Sequence, residues 1–299
     1  MNESIKGKHE MKAETKWEDN KLIIAVIGAG GTAGSFITER LLKRGYNILL
    51  CEKDEGIIRL RERGLEPTKV EEAIPVSDVI LMAIPDNKIG ETSRILVPVM
   101  KKGAILILLD AAAAYIGDVL LRDDCTFVIV HPCHPQLFQK QEAPEAYEDF
   151  FGGIAKQDII MALLQGEEGK LDLVEKICRD IFAPVINCYR LRVDQVAILE
   201  PIASEVIVGA ASYLMKEAFN EAVKLGVPEA AARSFLLGHI KILLAVLFGE
   251  SSHRISKAAE NAINYGCDRI LKPDWKKIFD QNEMKAAIRK ILYSVEESR

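Results

Sequence analysis

Unbroken apolar runs alternate with helical segments over the first half of the chain. The first intervening segment, GTAGSFITERLLKRG, has its apolar side chains at helical spacing, and a glycine can end that helix. Apolar strands separated by helices are typical of a parallel sheet that is covered on both faces. The pattern therefore predicts an α/β fold with a Rossmann-type doubly wound parallel sheet. Its predicted strands are LIIAVI (22–27), NILLC (47–51), DVILMAI (78–84), AILILLD (104–110) and TFVIV (126–130).

The pattern continues with two more strands and then changes near residue 191. DIIMALLQG (158–166) and VINCYRL (185–191) are strand candidates, and the charged helix KLDLVEKICRDIF separates them. Two long helical patterns follow, the second with Pro228 as its first helical residue, and no strand signal returns. We therefore expect a flexible tail at 1–20, a Rossmann domain at 21–190 and an all-helical C-terminal domain at 191–299.

Composition and charge narrow the class of protein. The net charge of -5 gives no electrostatic reason to bind nucleic acid. The N-terminus lacks the apolar core of a signal peptide, and the strand runs are far shorter than the ~20 residues of a membrane span. Segment 236–248 is longer but contains His239 and Lys241, so it is predicted to be a buried helix. Six cysteines without a CxxC pair favour a reducing compartment. A soluble, cytoplasmic protein without a membrane partner is expected.

The glycine-rich loop VIGAGGTAG joins the first strand to the first helix and favours binding of a dinucleotide. Gly28 permits the tight turn, Gly30 and Gly31 leave room for a pyrophosphate, and Gly34 allows the helix to pack closely on the strand. The free N–H groups at the helix N-terminus attract phosphate. The predicted cofactor-binding residues of this loop are Gly28, Ala29, Gly30, Gly31, Thr32, Ala33 and Gly34.

An acid at the end of the second strand favours NAD over NADP. Glu52 lies 24 residues after Gly28, where a carboxylate can accept the ribose hydroxyls and would repel a 2′-phosphate. Lys43 and Lys53 weaken that preference. Ligands of such sheets bind at the carboxyl ends of the strands, so Ala83, Ile84 and Pro85 are expected to line the cofactor cleft. Asp110, at the end of another strand, is expected either to face the cofactor ribose or to cap the next helix.

Several motifs in the same order resemble a known family. They are VIGAGGTAG, VILMAIPD, HPCHPQLF, FGGIAKQDIIMALLQG, ILEPIASE and FLLGHIKI, and the similarity runs from about residue 22 to KPDWKKIF at 272–279. The chain resembles the phosphogluconate-dehydrogenase-like oxidoreductases related to D-apionate oxidoisomerase, within the β-hydroxyacid dehydrogenase superfamily. The resemblance implies a Rossmann domain followed by a helical domain that often forms a dimer. It also implies NAD-dependent oxidation of a small polyhydroxy (sugar) acid, which for apionate is coupled with rearrangement of the carbon skeleton.

The sequence departs from the wider superfamily at one catalytic position. The superfamily usually has a catalytic lysine on its first long helix, with an asparagine four residues later. The corresponding place here holds Glu200 and Ser204, and no lysine occurs between Arg192 and Lys216. A mechanism based on that lysine cannot be transferred to this chain, so another group must move the proton.

The motif HPCHP at 131–135 offers a replacement. It follows the strand TFVIV, at the sheet edge where the nicotinamide is expected. Oxidation of an alcohol needs a proton acceptor, and His131, as the first residue out of the strand, is the best placed. His134 is expected to orient the substrate, and Cys133 to pack under the loop. Two alternatives stay open: a metal site, for which the three residues lie too close together, and a turn held by histidine hydrogen bonds.

Weaker candidates lie elsewhere in the chain. Glu200 is an acid in an apolar helical context, which indicates either a functional carboxyl or the partner of a buried cation. Ser204 shares its helix face and, like Cys133, is a candidate substrate contact. His239 is typical of a satisfied core residue, but the family resemblance keeps it as a substrate ligand. Lys156 is either a ligand for a substrate carboxylate or an exposed lysine.

Three hypotheses follow. The leading one is an NAD-dependent dehydrogenase of a small hydroxy or sugar acid, homodimeric and without a metal, in which His131, Glu200 and His134 are catalytic. The second is a prephenate-type dehydrogenase, which would need arginines in the cleft for two carboxylates; Arg192 and Arg233 are the candidates. The third is a non-catalytic redox sensor that binds NAD without turning it over.

Overall fold

The computed structural model describes residues 22–293 and contains one seven-stranded sheet. The predicted N-terminal tail lies outside the described residues. The strand order across the sheet is β2-β1-β3-β4-β5-β6-β7. All seven strands were predicted from the sequence, to within a few residues at each end. They are β1 Ile23–Ile27, β2 Asn47–Cys51, β3 Val79–Met82, β4 Ile105–Leu108, β5 Thr126–Pro132, β6 Gln157–Gln165 and β7 Val185–Leu191.

The sheet is mostly parallel, as the sequence predicted, but its last two strands run in the opposite direction. Strands β1 to β5 pair in parallel, but β6 runs antiparallel to β5, and β7 is parallel to β6. The apolar pattern of β6 matches that of a parallel strand because both faces of the strand are covered. The burial of both faces produces this pattern whatever the direction of the strand, so the sequence could not show that β6 is reversed.

Eleven α-helices belong to the described residues, together with short single-turn helices at 74–76, 97–99, 144–147, 168–170 and 275–279. The sheet has helices on both faces, as the doubly wound prediction required. The helices are α1 Thr32–Lys43, α2 Asp54–Glu62, α3 Val70–Ala73, α4 Asp86–Leu96, α5 Ala112–Tyr115, α6 Leu171–Ile181, α7 Val193–Ala197, α8 Gly209–Lys224, α9 Glu229–Leu247, α10 Lys257–Ile270 and α11 Gln281–Tyr293.

Each face of the sheet has its own apolar core. One core joins the sheet to α1, α2 and α6, with Ile37, Leu41 and Ile177 fully buried. The other joins it to α4, α5, α7 and the C-terminal α11, where Met284 and Ile288 are buried. The last helix of the chain thus packs back onto the Rossmann domain. Burying a side chain of this size stabilises the fold by roughly 1.5–3 kcal/mol. The packing of α7 and α11 therefore holds both ends of the helical region against the sheet.

A π-helical segment, Ile198–Val208, connects α7 to α8 in one continuous helix. Pro201 lies inside it, where it removes one backbone donor and prevents regular α-helical hydrogen bonding. Wide turns of this kind occur mostly where a helix carries a functional residue. Glu200, Pro201 and Ile202 are its buried residues, so the segment turns one carboxyl toward the sheet.

The outer helices do not pack as predicted. Segment 236–248 was expected to be a buried helix, yet Ala232 is the one buried residue of α9, and neither α8 nor α10 has any. Phe235 is 65% exposed and Leu247 62%. An apolar pattern predicts that a helix is buried but does not show which surface covers it. Residues 22–293 of a single chain supply no such surface for these helices. By length and composition alone, Val193–Lys224 and α9 are also long and apolar enough to cross a membrane.

Candidate active site

The glycine loop is pressed between β1, β3 and α1. Gly28 has a φ of +82°, and a Cβ atom at this position would lie 2.3 Å from the carbonyl oxygen of Ala83. At Gly34 a Cβ atom would lie only 1.9 Å from the carbonyl oxygen of Gly28. These two positions exclude any side chain, because backbone atoms rather than flexible side chains occupy the space. The roles that the sequence predicted for both glycines agree with this packing.

The N-terminus of α1 is left open by the loop. Gly31 precedes the helix, no side chain caps the first turn, and the first turn has no acidic residue. Ala29 is buried beneath the loop, whereas Thr32 and Ala33 are exposed at the first turn. Backbone N–H groups of this kind bind phosphate oxygens, and no carboxylate of the first turn competes for them. The loop therefore fits the pyrophosphate of a dinucleotide.

Glu52 supports the loop from the end of β2. Its Oε2 atom accepts a hydrogen bond from the N–H of Gly30 at 2.6 Å, and Oε1 accepts one from the N–H of Lys53 at 2.9 Å. Arg59, which sequence reasoning missed, donates from Nε to the carbonyl oxygen of Gly30 at 2.8 Å. The carboxylate thus lies directly beside the glycine loop, where the adenosine ribose of a dinucleotide would come. No periodic or motif signal distinguishes Arg59 from the other arginines of its helix.

Two neighbouring strand ends form the floor of the cleft. Ala83 and Ile84 are half-buried after β3, and Pro85 immediately precedes α4. Asp110 follows β4 and is 5% exposed. Its Oδ1 atom accepts a hydrogen bond from the N–H of Ala112 at 2.6 Å. This contact lies at the start of α5, where Ala111 is the N-cap residue.

His131 lies inside β5 rather than in a loop beyond it, which corrects the prediction. It pairs with Ile160 of β6, so the antiparallel strand extends β5 through the first two residues of HPCHP. Its Nδ1 atom is 2.7 Å from the carbonyl oxygen of Pro132. Burial lowers the pKa of His131 below the usual value, and the Pro132 carbonyl and Asp110 oppose that change only in part. The ring is therefore a fixed, neutral base at neutral pH.

The rest of the motif is more open. His134 is exposed and has a φ of +59°. Its ring meets the rings of His131 and Phe151 edge-on, at centroid distances of 6.0 and 5.9 Å. Cys133 was expected to pack under the loop but is exposed, because its N–H pairs with the carbonyl of Asp158 at the edge of β6. Desolvation by neighbouring protein atoms still raises the pKa of Cys133 to about 11, so it remains a thiol.

Glu200 is the most unusual residue of the cleft. It is 7% exposed, and its Oε2 atom has no hydrogen-bond partner. In the part of the chain that the structure describes, its charged neighbours are acids and not the buried cation of the second alternative. Its carboxyl group lies within hydrogen-bonding reach of the Asp110 carboxyl. Burial, the hydrogen bond with Asp110 and the charges of Asp110, Glu205 and Asp86 raise its pKa to about 10.

Asp86 and Glu205 complete this group of acids, and sequence reasoning missed both. Asp86 begins α4, where burial and the charges of Asp110 and Glu205 raise its pKa to about 7. Burial and Asp110 also raise the pKa of Glu205. Either acid could have been suspected from its place, Asp86 after the third strand and Glu205 five residues after Glu200. Neither position is distinctive without the fold.

The remaining candidates lie apart from these acids or contact only the backbone. Ser204 donates from Oγ to the backbone carbonyl of Glu200 at 2.6 Å. Lys156 forms an ion pair with Glu142. His239 is neither a core residue nor a neighbour of the strand ends: it is exposed on α9 and stacks on Phe235 at a centroid distance of 4.0 Å.

Two open questions from the sequence concern metals and arginines. Among residues 22–293, no group of three or more histidine, cysteine, aspartate or glutamate side chains has the arrangement of a metal site. Arg192 pairs with Asp194, at 2.8 Å between Nη2 and Oδ2, and Arg233 lines a groove between α8 and α9. Neither arginine is placed as a prephenate-type site would require, and the charges that act on Glu200 are those of carboxylates.

Two family models match the chain and together cover most of it. Residues 19–148 match the NADPH-binding domain of acetohydroxy acid isomeroreductase, and residues 139–292 match the C-terminal part of phosphogluconate dehydrogenase (decarboxylating). With the glycine loop and the histidine and acids at the strand ends, these matches define a dinucleotide-dependent oxidoreductase of the phosphogluconate-dehydrogenase-like class.

Curated relatives define the family more narrowly. The D-apionate oxidoisomerase of Cupriavidus necator is 44% identical over 271 residues, which cover 90% of this chain and 98% of the relative. The D-apionate oxidoisomerase of Blautia hydrogenotrophica is 41% identical, with 91% and 97% coverage. A crystal structure of a semialdehyde dehydrogenase NAD-binding protein from Cupriavidus necator, in complex with calcium and NAD, superposes with a TM-score of 0.87. It has 43% sequence identity and covers 91% of this chain and 99% of that protein. The chain belongs to the D-apionate oxidoisomerase family.

Proposed function

We propose that this enzyme oxidises D-apionate, or a closely related branched sugar acid, with NAD as the oxidant and with a coupled isomerisation. The observation that supports this most directly is the 44% identity with a D-apionate oxidoisomerase over nearly the full length of both chains. NAD is favoured over NADP because the acid Glu52 lies beside the loop, where a 2′-phosphate would be repelled. The structural neighbour that contains NAD has the same fold over its full length.

NAD, when bound, accepts a hydride from the carbon that carries the reacting hydroxyl. In this proposal the open N-terminus of α1 holds its pyrophosphate, and Glu52 holds the adenosine ribose. Ala83, Ile84 and Pro85 form the wall between the loop and the strand ends. The nicotinamide end would then lie over the ends of β4 and β5, beside Asp110 and His131.

His131 is proposed to take the proton of the reacting hydroxyl. The Pro132 carbonyl can only accept a hydrogen bond, so the Nδ1 atom of His131 must carry the hydrogen and donate it. The Nε2 atom then has no hydrogen and is free to accept a proton. Its lowered pKa keeps the ring neutral and ready to accept a proton. Glu200 and His134 orient the other hydroxyl and carboxylate groups of the substrate. Cys133, Ser204 and Lys156 remain candidate contacts at the rim.

The direct test is NADH formation with a panel of four- to six-carbon sugar acids that includes D-apionate. We expect turnover with apionate and a loss of 100-fold or more in kcat for His131→Gln, the usual contribution of a general base. His253→Gln is the matched control, since that histidine is exposed in the helical region and hydrogen-bonded to Ser251. No turnover on any acid while NAD binds would refute the dehydrogenase and favour the redox sensor. Turnover on prephenate alone would favour the prephenate-type alternative.

We also propose that the enzyme is a cytoplasmic homodimer in which α8, α9 and α10 of one copy pack on those of another. The support is the length of apolar helix left uncovered in one chain: α9 has 19 residues, of which Ala232 alone is buried. An apolar groove between α8 and α9, with a volume of about 440 Å³, is open to receive side chains of the second copy. A membrane would cover the same helices, but Lys216 and Arg233 both line this groove. Charged groups there are costly in lipid.

Sedimentation of a matched pair of variants tests the dimer. Leu237 in the groove is 54% exposed, and Ile58 on α2 is 58% exposed. Leu237→Glu should give monomers at micromolar concentration, whereas Ile58→Glu should sediment as the wild type does. Equal sedimentation of both variants would contradict the assignment of this face, and recovery of the wild-type protein only in detergent would favour the membrane.

A further inference from the structure

Two acids from distant parts of the chain, Asp110 and Glu200, meet in the cleft. Asp110 follows β4, and Glu200 belongs to the π-helical segment. They are 5% and 7% exposed, and their carboxyl groups lie within hydrogen-bonding reach of each other. Two ionised carboxylates in contact, with little water around them, are strongly unfavourable. At neutral pH the pair therefore retains a proton.

The hydrogen bonds around the pair decide which acid carries that proton. Asp110 already accepts one hydrogen bond, from the N–H of Ala112 to its Oδ1 atom at 2.6 Å. Glu200 has no comparable donor: its Oε2 atom is buried without a partner, and the hydroxyl of Ser204 turns to the backbone carbonyl instead. The proton consequently resides on Glu200, whose O–H group donates to Asp110.

Charges on the surrounding elements do not offset this arrangement. Asp86 at the start of α4 and Glu205 on the same helical segment add negative charge. His131, on β5, is close enough to act on Asp110, but burial keeps its ring neutral.

The basic groups on the other helices packed nearby either have partners of their own or line a separate cavity. On α11, Lys285 lies over the ring of Tyr115, and Arg289 lines a separate surface cavity beside α4. At the start of α7, Arg192 pairs with Asp194. On the short helix at 275–279, Lys276 lies over the ring of Trp275 and Lys277 pairs with Asp274.

We propose that Asp110 holds Glu200 as a neutral carboxylic acid, and that the carboxyl oxygen not bonded to Asp110 accepts a hydrogen bond from a hydroxyl of the substrate next to the one that is oxidised. Glu200 would touch the substrate, and Asp110 would be a positioning residue that acts through it. This inference rests on the proposed function for its substrate. It explains how a cleft with four acids receives an anionic sugar acid, since the proton removes one negative charge at the point of contact.

The pH dependence of KM tests the proposal. In the wild type, KM for the sugar acid should be level once Asp86 has ionised near pH 7, and it should rise again as Glu200 ionises at alkaline pH. Asp110→Asn keeps an acceptor for the Ala112 N–H but removes the charge that holds the proton. The alkaline rise should then begin at least about one pH unit lower, equivalent to a tenfold change in proton concentration. Glu200→Gln cannot ionise, so the KM of this variant should lose its alkaline rise, whatever activity it retains.

Glu205→Gln is the matched control. It removes one nearby carboxylate charge without touching the hydrogen bond between the pair, so its shift should be less than half that of Asp110→Asn. Equal shifts, or no shift in Asp110→Asn, would overturn the proposal, because general electrostatics or a purely structural role would then account for the data.

Infrared spectroscopy supplies a readout that does not need turnover. At about pH 9 Asp86, with its pKa of about 7, is ionised, whereas Glu200, with its pKa of about 10, is not. The wild-type enzyme should then show the C=O stretching band of a buried neutral carboxylic acid, and Glu200→Gln should remove it. Persistence of that band in Glu200→Gln would place the proton elsewhere and refute the proposal. If no sugar acid is oxidised but the band behaves as expected, the proposed function fails while the shared proton stands, so the two failures are distinguishable.

Discussion

Replacing Gly34 by alanine tests the packing on which the cofactor loop depends. A Cβ atom at this position would lie 1.9 Å from the carbonyl oxygen of Gly28 and 2.7 Å from its carbonyl carbon. Real Cβ atoms hardly ever approach another atom closer than 3.0 Å, so the helix or the loop must move by about 1 Å. Both colliding atoms belong to the backbone and cannot rotate away.

The cost follows from that overlap. Overpacking by one methyl group costs typically about 1–3 kcal/mol, and the backbone contact puts Gly34→Ala near the upper end. A loss of about 3 kcal/mol corresponds to a decrease in melting temperature of roughly 6–12 °C for a domain of this size. The movement also pulls the N-terminus of α1 away from Gly28, so NAD affinity should fall by at least about tenfold, or 1.4 kcal/mol.

Urea unfolding and calorimetric titration with NAD measure both effects. Gly169→Ala is the matched control, because a Cβ atom there meets no atom within 4 Å and the residue has no positive φ. That variant should be as stable as the wild type or slightly more stable, since alanine restricts the unfolded chain. If Gly34→Ala unfolds at the wild-type urea concentration and binds NAD with the wild-type affinity, the inferred close packing of the loop is wrong.

Three further predictions concern single side chains. Because burial lowers the pKa of His131, its neutral form persists below pH 6.5, and kcat/KM should fall only below that pH. A fall in kcat/KM centred above pH 6.5 would contradict the assignment of His131 as the base. Glu52→Gln keeps an acceptor for the Gly30 N–H but loses the negative charge, so the ratio of NADP affinity to NAD affinity should rise about tenfold in parallel calorimetric titrations. An unchanged ratio would exclude Glu52 as the residue that discriminates between the two cofactors. Burial alone would raise the pKa of Asp149, but N–H donors from Ala155, Ile154 and Gly152 hold that pKa below its usual value. The Asp149 carboxylate therefore stabilises the loop above about pH 4, and this stabilisation is lost as the pH falls further. Asp149→Ala should make the loop at 149–155 easier to open by about 1–2 kcal/mol, seen as faster proteolysis at neutral pH, and cleavage at the wild-type rate would show that the loop does not need these bonds.

The sequence predicted the strands and the cofactor loop because both depend on local patterns. Seven apolar runs became seven strands, and GAGGTAG became the strand-to-helix turn that its glycines require. The reversed direction of β6 was missed, since a strand buried on both faces has the same pattern in either direction. For the same reason His131 was placed outside β5, when in fact β6 extends that strand.

The acids of the cleft show where prediction from sequence ends. Glu200 stood out as a charge in an apolar helix, but its partner lies 90 residues away along the chain and is another acid rather than a cation. Asp86 and Glu205 have ordinary sequence neighbours, and only the fold brings them to the same cleft. The roles of the candidate site residues remain predictions, as does the domain boundary near residue 191. The exposure of α9 was missed for a different reason. An apolar pattern predicts that a helix is covered, but it does not show whether the covering surface belongs to the same chain.

The reversal of β6 has a consequence for how this fold can change over time. The chain leaves the sheet at Pro132 and re-enters it at Gln157, and the antiparallel pairing puts both points at the edge where His131 lies. The 24 residues between them can therefore lengthen, shorten or exchange without shifting any strand. Surface connections tolerate such changes well and often carry binding residues. Relatives with the same sheet and the same cofactor loop could thus acquire preferences for different acids by inheriting different versions of this one connection.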